Sequence, residues 1–119
     1  MQTFDQGDVI AVPFPYTDRS TTQRRPALVV SRGAVGSNPS LLWVVMITNA
    51  ENRHWEHDVP MGEGWIDAGL PIPSIIRPIK IAVIESDQVV RVIGKITPGL
   101  FLRVCDQLQK ITGWWRAAH

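Results

Sequence analysis

Arg24 and Arg25 stand side by side at the mouth of an apolar run, in the stretch QRRPALVVS at residues 23–31. A guanidinium held there calls for an anion, and its planar fork with a permanent charge matches two oxygens of a phosphate. Pro26 restricts the residue before it to extended conformations, which sets the direction of Arg25 and lowers the cost of ordering it. Two ordinary roles stay open on the residues alone: a salt bridge to an acid such as Asp18, or a solvated rim arginine. Arg24, on the opposite strand face, is expected to meet solvent or a flanking phosphate. Thr48 ends the next apolar run, LLWVVMIT, with a short hydroxyl. That hydroxyl can bond a nonbridging phosphate oxygen or orient a ribose hydroxyl, or Thr48 is simply a β-branched strand residue.

Other chemistry is less well supported. In HWEH, His54 and His57 would share a face only in a helix, and the surrounding acidic, turn-rich residues argue against one. Either histidine could serve as a base near neutral pH. The single Cys105 excludes an intramolecular disulfide framework and a cysteine metal cluster. No Ser/His/Asp order and no phosphate-cradling glycine loop is present. No cofactor or metal is expected. Of the tryptophans, Trp55 and Trp65 are the candidates for stacking on unpaired bases, Trp43 belongs in the core or a dimer interface, and Trp114 and Trp115, at the end of the helix, are expected to pack on the barrel or on a partner.

The elements that must position these groups are mostly strands. With 119 residues, 45% hydrophobic and 19% charged, residues 1–119 read as one globular domain with a real core. The longest apolar run, Leu41–Ile47, is too short to span a bilayer and no signal pattern precedes it, so a cytoplasmic protein is expected. Strand-like runs cover 7–14, 27–31, 41–48, 74–84 and 89–96, with a short one near 56–60. Pro13 and Pro78 mark edges or bulges, and Gly94 a bend or a close backbone approach. Thr97 as N-cap, Pro98 at the first helical position and Gly113 as stop bound one amphipathic helix, whose inner positions are Leu100, Phe101, Val104, Leu108 and Ile111. The net charge is only +1, but residues 49–70 carry −4 and residues 71–119 carry +4, so a focused basic surface is available. Bent short strands followed by a helix predict a mainly β fold, a small curled barrel capped by that helix.

In order along the chain, GDVIAVPFPYTD, RRPALVVS, VVMITNA and GLPIPSIIRPIKI…RVIGKIT resemble the MazF/PemK family of toxins over roughly residues 6–111. The resemblance implies an SH3-like barrel, a homodimer, and a metal-independent endoribonuclease that cuts single-stranded mRNA at short motifs, leaving 2′,3′-cyclic phosphate and 5′-hydroxyl ends. It implies a cognate antitoxin over the RNA site, which the local charge would require to be acidic. It places catalytic weight on Arg25 and Thr48 and makes Arg77 a phosphate contact; Arg19, Arg24 and Lys80 add positive charge nearby, and Trp55 a stacking surface. Some members carry an aspartate two residues beyond the equivalent of Arg77; here that position is Ile79, so no carboxylate base carries over. Two alternatives differ in class: a non-catalytic CcdB-like toxin that grips a topoisomerase, and a degenerate RNA- or DNA-binding module.

Overall fold

The computed structural model describes residues 3–13 and 24–113. Asp18, Arg19, Trp114 and Trp115 lie outside the described residues. Strands β1 (Asp8–Pro13), β2 (Arg24–Val29), β3 (Leu41–Asn49), β4 (Val59–Pro60), β5 (Ser74–Glu85) and β6 (Arg91–Lys95) form one antiparallel sheet in the order β4-β5-β3-β2-β1-β6. A short helix α1 (Gly64–Asp67) follows β4, and helix α2 (Pro98–Thr112) follows β6.

Both sheet faces are buried along the central strands, which is why those strands read as unbroken apolar runs. The rung Val9–Leu28–Val45 points into one core, where Leu100 and Val104 of α2 pack. The next rung, Ile10–Ala27–Met46, points to the opposite face, into a second core with Phe4, Ala82 and Ile84. The sheet is thus a curled half-barrel with α2 over one side. Two irregularities bend it. Between Val45 and Met46 the partner register jumps from Ile81 to Arg77, so β5 bulges around Pro78. Between Val9 and Ile10 it jumps from Gly94 to Val92, leaving Ile93 as the extra residue in β6.

The helix forms as its local signals require. Thr97 Oγ1 accepts the Leu100 N–H at 3.2 Å, and Gly113 closes the helix at φ 71° with its N–H on the Gln109 carbonyl at 2.8 Å. Ile111, expected on the inner face, is 40% exposed, because the core packing of α2 ends at Leu108.

Three expectations need correction. β2 begins at Arg24 rather than Ala27, so both arginines belong to the ladder, Arg24 opposite Pro13 and Arg25 opposite Val12. The strand expected near 56–60 shrinks to two residues, since the acidic stretch before it turns back on itself through Asp58. Of the two places expected for Trp43, the core is the one it does not take: it is 48% exposed, beside Val83 at 54% and Ile81 at 43% on an exposed apolar face of β3 and β5.

Candidate active site

At one end of the sheet, the start of β2 and the end of β3 open onto a cavity of about 440 Å³. Arg25 and Thr48 each lie two residues beyond the Ala27–Met46 rung, so the antiparallel step brings them to the same face of neighbouring strands. Arg24 points to the other face, yet it also lines the cavity because the cavity sits at the strand end. Arg91 enters from β6, and Asn49 and Asn52 from the turn after β3.

The far wall is apolar: Leu70, Pro71 and Ile72 on one side, Val90 and Ile93 on the other. Two glycines set how closely these walls meet. A Cβ on Gly94 would fall 2.3 Å from the Ala68 carbonyl oxygen. Gly69, at φ +79°, would place one 2.6 Å from the Ile93 oxygen. The close approach expected at Gly94 is therefore the packing of residues 68–69 on β6, and it shapes the cavity wall.

No aspartate, glutamate, histidine or cysteine is among the described residues lining the cavity. Its electrostatics are those of three guanidiniums with no carboxylate beside them among the described lining residues. Arg25 shows this most directly, since its Nε is buried with no hydrogen-bond partner among the described residues. A buried charged donor left open is costly and favours an arriving anion. Thr48 is half-buried, and its Oγ1 accepts from Asn52 Nδ2 at 2.6 Å. The turn that carries Asn52 is fixed by the Asn52 N–H on the Asn49 carbonyl at 3.0 Å and by Asn49 Oδ1, which accepts the Glu51 N–H at 2.8 Å.

Arg77, Lys80 and Trp55 form a separate cluster that does not line this cavity. Arg77 donates through Nε and Nη2 to the two Asp58 carboxylate oxygens at 3.1 and 3.0 Å, and Nη2 also reaches the Arg53 carbonyl at 2.7 Å. Its side chain is 6% exposed and that of Asp58 2%. The guanidinium lies 4.2 Å from the Trp55 ring centroid, with Lys80 Nζ 5.1 Å from the same centroid. Arg77 is thus engaged by a carboxylate, a carbonyl and a ring, and in this geometry it latches residues 53–58. His57 Nδ1 sits 2.9 Å from Gln107 Oε1 on α2, away from the cavity. Trp65 packs against the first core.

Of the residues the sequence singles out, the structure brings together Arg24, Arg25 and Thr48. It adds Arg91, Asn49 and Asn52. Arg91 gave a signal, as one of two bases on the polar side of an alternating strand, while Asn52 gave none that single-sequence reasoning could weigh.

A model of the PemK-like, MazF-like toxin of type II toxin–antitoxin systems matches residues 5–112. No curated protein matches the chain. Among solved structures, an endoribonuclease in complex with its cognate antitoxin from a mycobacterial species is similar at 20% identity and a TM-score of 0.71, covering 95% of this chain and 96% of that one. A MazE–MazF structure from Deinococcus radiodurans is similar at 17% identity and a TM-score of 0.72, covering 95% and 98%. The Mycobacterium tuberculosis toxin MazF-mt6 follows at 21% identity and a TM-score of 0.65, covering 91% and 97%. With the family match spanning nearly the whole curled sheet, its cavity and α2, the chain belongs to the PemK-like, MazF-like toxins of type II toxin–antitoxin systems.

Proposed function

We propose that the chain is an endoribonuclease that cuts single-stranded mRNA in the cytoplasm at short sequence motifs, and that a cognate antitoxin silences it. The observation that supports this most is the cavity itself: among the described residues it has three arginines and a threonine, no carboxylate, and one guanidinium nitrogen buried without a partner. A phosphodiester supplies the missing anion, and RNA brings its own nucleophile. The 2′-oxygen attacks the neighbouring phosphorus as the bond to the 5′-oxygen breaks. One proton leaves the 2′-hydroxyl and one arrives at the 5′-oxygen, so no water is consumed, and the ends are a 2′,3′-cyclic phosphate and a 5′-hydroxyl.

Arg25, flanked by Arg24 and Arg91, stabilises the charge that builds on the phosphate, and Thr48 adds a hydrogen bond. With no ordinary base lining the cavity among the described residues, acceleration rests on in-line positioning and charge stabilisation. Guanidiniums, hydroxyls and amides lack the carboxylates by which proteins hold a divalent ion, which supports cleavage independent of metal. A segment that competes with RNA for these arginines is acidic. A second copy covers the apolar face around Trp43, Ile81 and Val83, giving a homodimer.

The test is a long unstructured RNA incubated with the protein in EDTA, with the cut ends mapped. Cyclic phosphates at recurring motifs are expected. Activity that disappears with chelator and returns with a divalent ion overturns the metal-independent route, and intact RNA under all conditions overturns the nuclease reading.

A further inference from the structure

Asn52 sits in the cavity with one short contact, from Nδ2 to Thr48 Oγ1 at 2.6 Å. A hydroxyl carries one proton and two acceptor lone pairs. With Asn52 Nδ2 on one lone pair, the Thr48 proton points away from Asn52 and is free for another acceptor. No carboxylate lines the cavity among the described residues, so the acceptor that arrives is an oxygen of the substrate phosphate. We propose that Asn52 is a positioning residue that fixes Thr48 as a hydrogen-bond donor to the reacting phosphate. The inference rests on the endoribonuclease reading above.

The surroundings hold the amide in place from both sides. Upstream, the 49–52 turn is closed by the Asn52 N–H on the Asn49 carbonyl. Downstream, the very next carbonyl, that of Arg53, accepts from Arg77, which is itself locked on Asp58. A buried ion pair outside the cavity therefore anchors the turn that aims a neutral amide into it. That gives Arg77 an indirect part in the site without contact to the substrate.

The test compares wild type, Asn52→Ala, Asn52→Asp, Thr48→Ala and the Asn52→Ala/Thr48→Ala double variant on one RNA with a single cut site, reading kcat and KM separately. Asn52 is exposed and Thr48, half-buried, belongs to neither core, so none of these changes removes core packing. Asn52→Ala is expected to lower kcat about 10-fold, the worth of one hydrogen bond, with KM nearly unchanged. In the Thr48→Ala background it should add less than about twofold, because Asn52 acts through Thr48. Asn52→Asp should lower kcat on the order of 100-fold, since a carboxylate can only accept and would take the Thr48 proton away from the phosphate. The proposal is overturned if Asn52→Asp cuts as fast as Asn52→Ala, if Asn52→Ala costs as much with Thr48 absent as with it present, or if Asn52→Ala matches wild type. In each of those cases wild type still cuts, so the nuclease reading stands while this inference falls. A wild-type protein that leaves RNA intact overturns the nuclease reading, and this inference with it.

Discussion

Arg25 and Arg77 lie on strands of one sheet with only β3 between them, and neither is fully exposed. Their surroundings are opposite. Arg77 has two carboxylate oxygens, a carbonyl and an indole ring, all from the 53–58 stretch. Arg25 has a buried nitrogen with no partner among the described residues, and two more arginines in a cavity whose described lining holds no carboxylate. Burial alone would rank Arg77 as the more special residue. The inventory of partners reverses that ranking: a saturated guanidinium holds the fold, and an unsaturated one is available to a ligand.

The first way to break this comparison is Arg77→Ala. It leaves Asp58 as an uncompensated carboxylate at 2% exposure and releases the Arg53 carbonyl. Stability should fall by about 3–5 kcal/mol, read from urea unfolding. Replacing both partners with apolar residues, Arg77→Met with Asp58→Leu, should recover most of the loss. A single Arg77→Ala that costs less than about 1 kcal/mol would show the pair to be ornamental and remove one side of the contrast.

Arg25→Ala should do the reverse. Cleavage should drop on the order of 10²–10³-fold while the unfolding midpoint stays level or rises, since an unpaired buried donor is removed. Wild-type rates in a folded Arg25→Ala protein would refute the assignment. Arg25→Lys sharpens it. A point charge keeps the attraction but loses the fork, so about a tenth or less of wild-type activity should return. Full recovery would mean that charge alone matters at this position.

How much of this was legible follows from the range of the interactions. The central strands could be read because burial on both faces leaves unbroken apolar runs, and α2 because Thr97, Pro98 and Gly113 act locally. Arg25 could be singled out from its own neighbours, Pro26 and the strand behind it. Its meeting with Thr48 depends on the register of β2 on β3, and neither sequence stretch contains that register. The pairing of Arg77 is what the sequence did not show. Its partner Asp58 is nineteen residues away, in a segment whose acids looked like solvated charge. Five acids in a turn-rich stretch give no sign of which one will be buried. Arg91 and the wall at Ile93 were obscured by the β6 bulge and by the approach of residues 68–69, both set by contacts from elsewhere in the chain.

The smallest expected effect concerns Lys80, which the sequence placed with the RNA-binding arginines and the structure places over Trp55. A lysine there contributes a cation–π contact at a partly exposed ring, about 0.5–1 kcal/mol. Lys80→Ala should lower stability by roughly that amount. Its influence on RNA is confined to the long-range field, because it does not line the cavity. Affinity for a non-cleavable RNA should therefore weaken slightly at low salt and match wild type near physiological ionic strength, where the Debye length is about 8 Å. Arg91→Ala, from inside the cavity, should weaken affinity at both salt concentrations. If Lys80→Ala and Arg91→Ala lose affinity equally at high salt, RNA reaches across the Trp55 cluster, and the division between a structural and a functional set of cations has to be redrawn along β5.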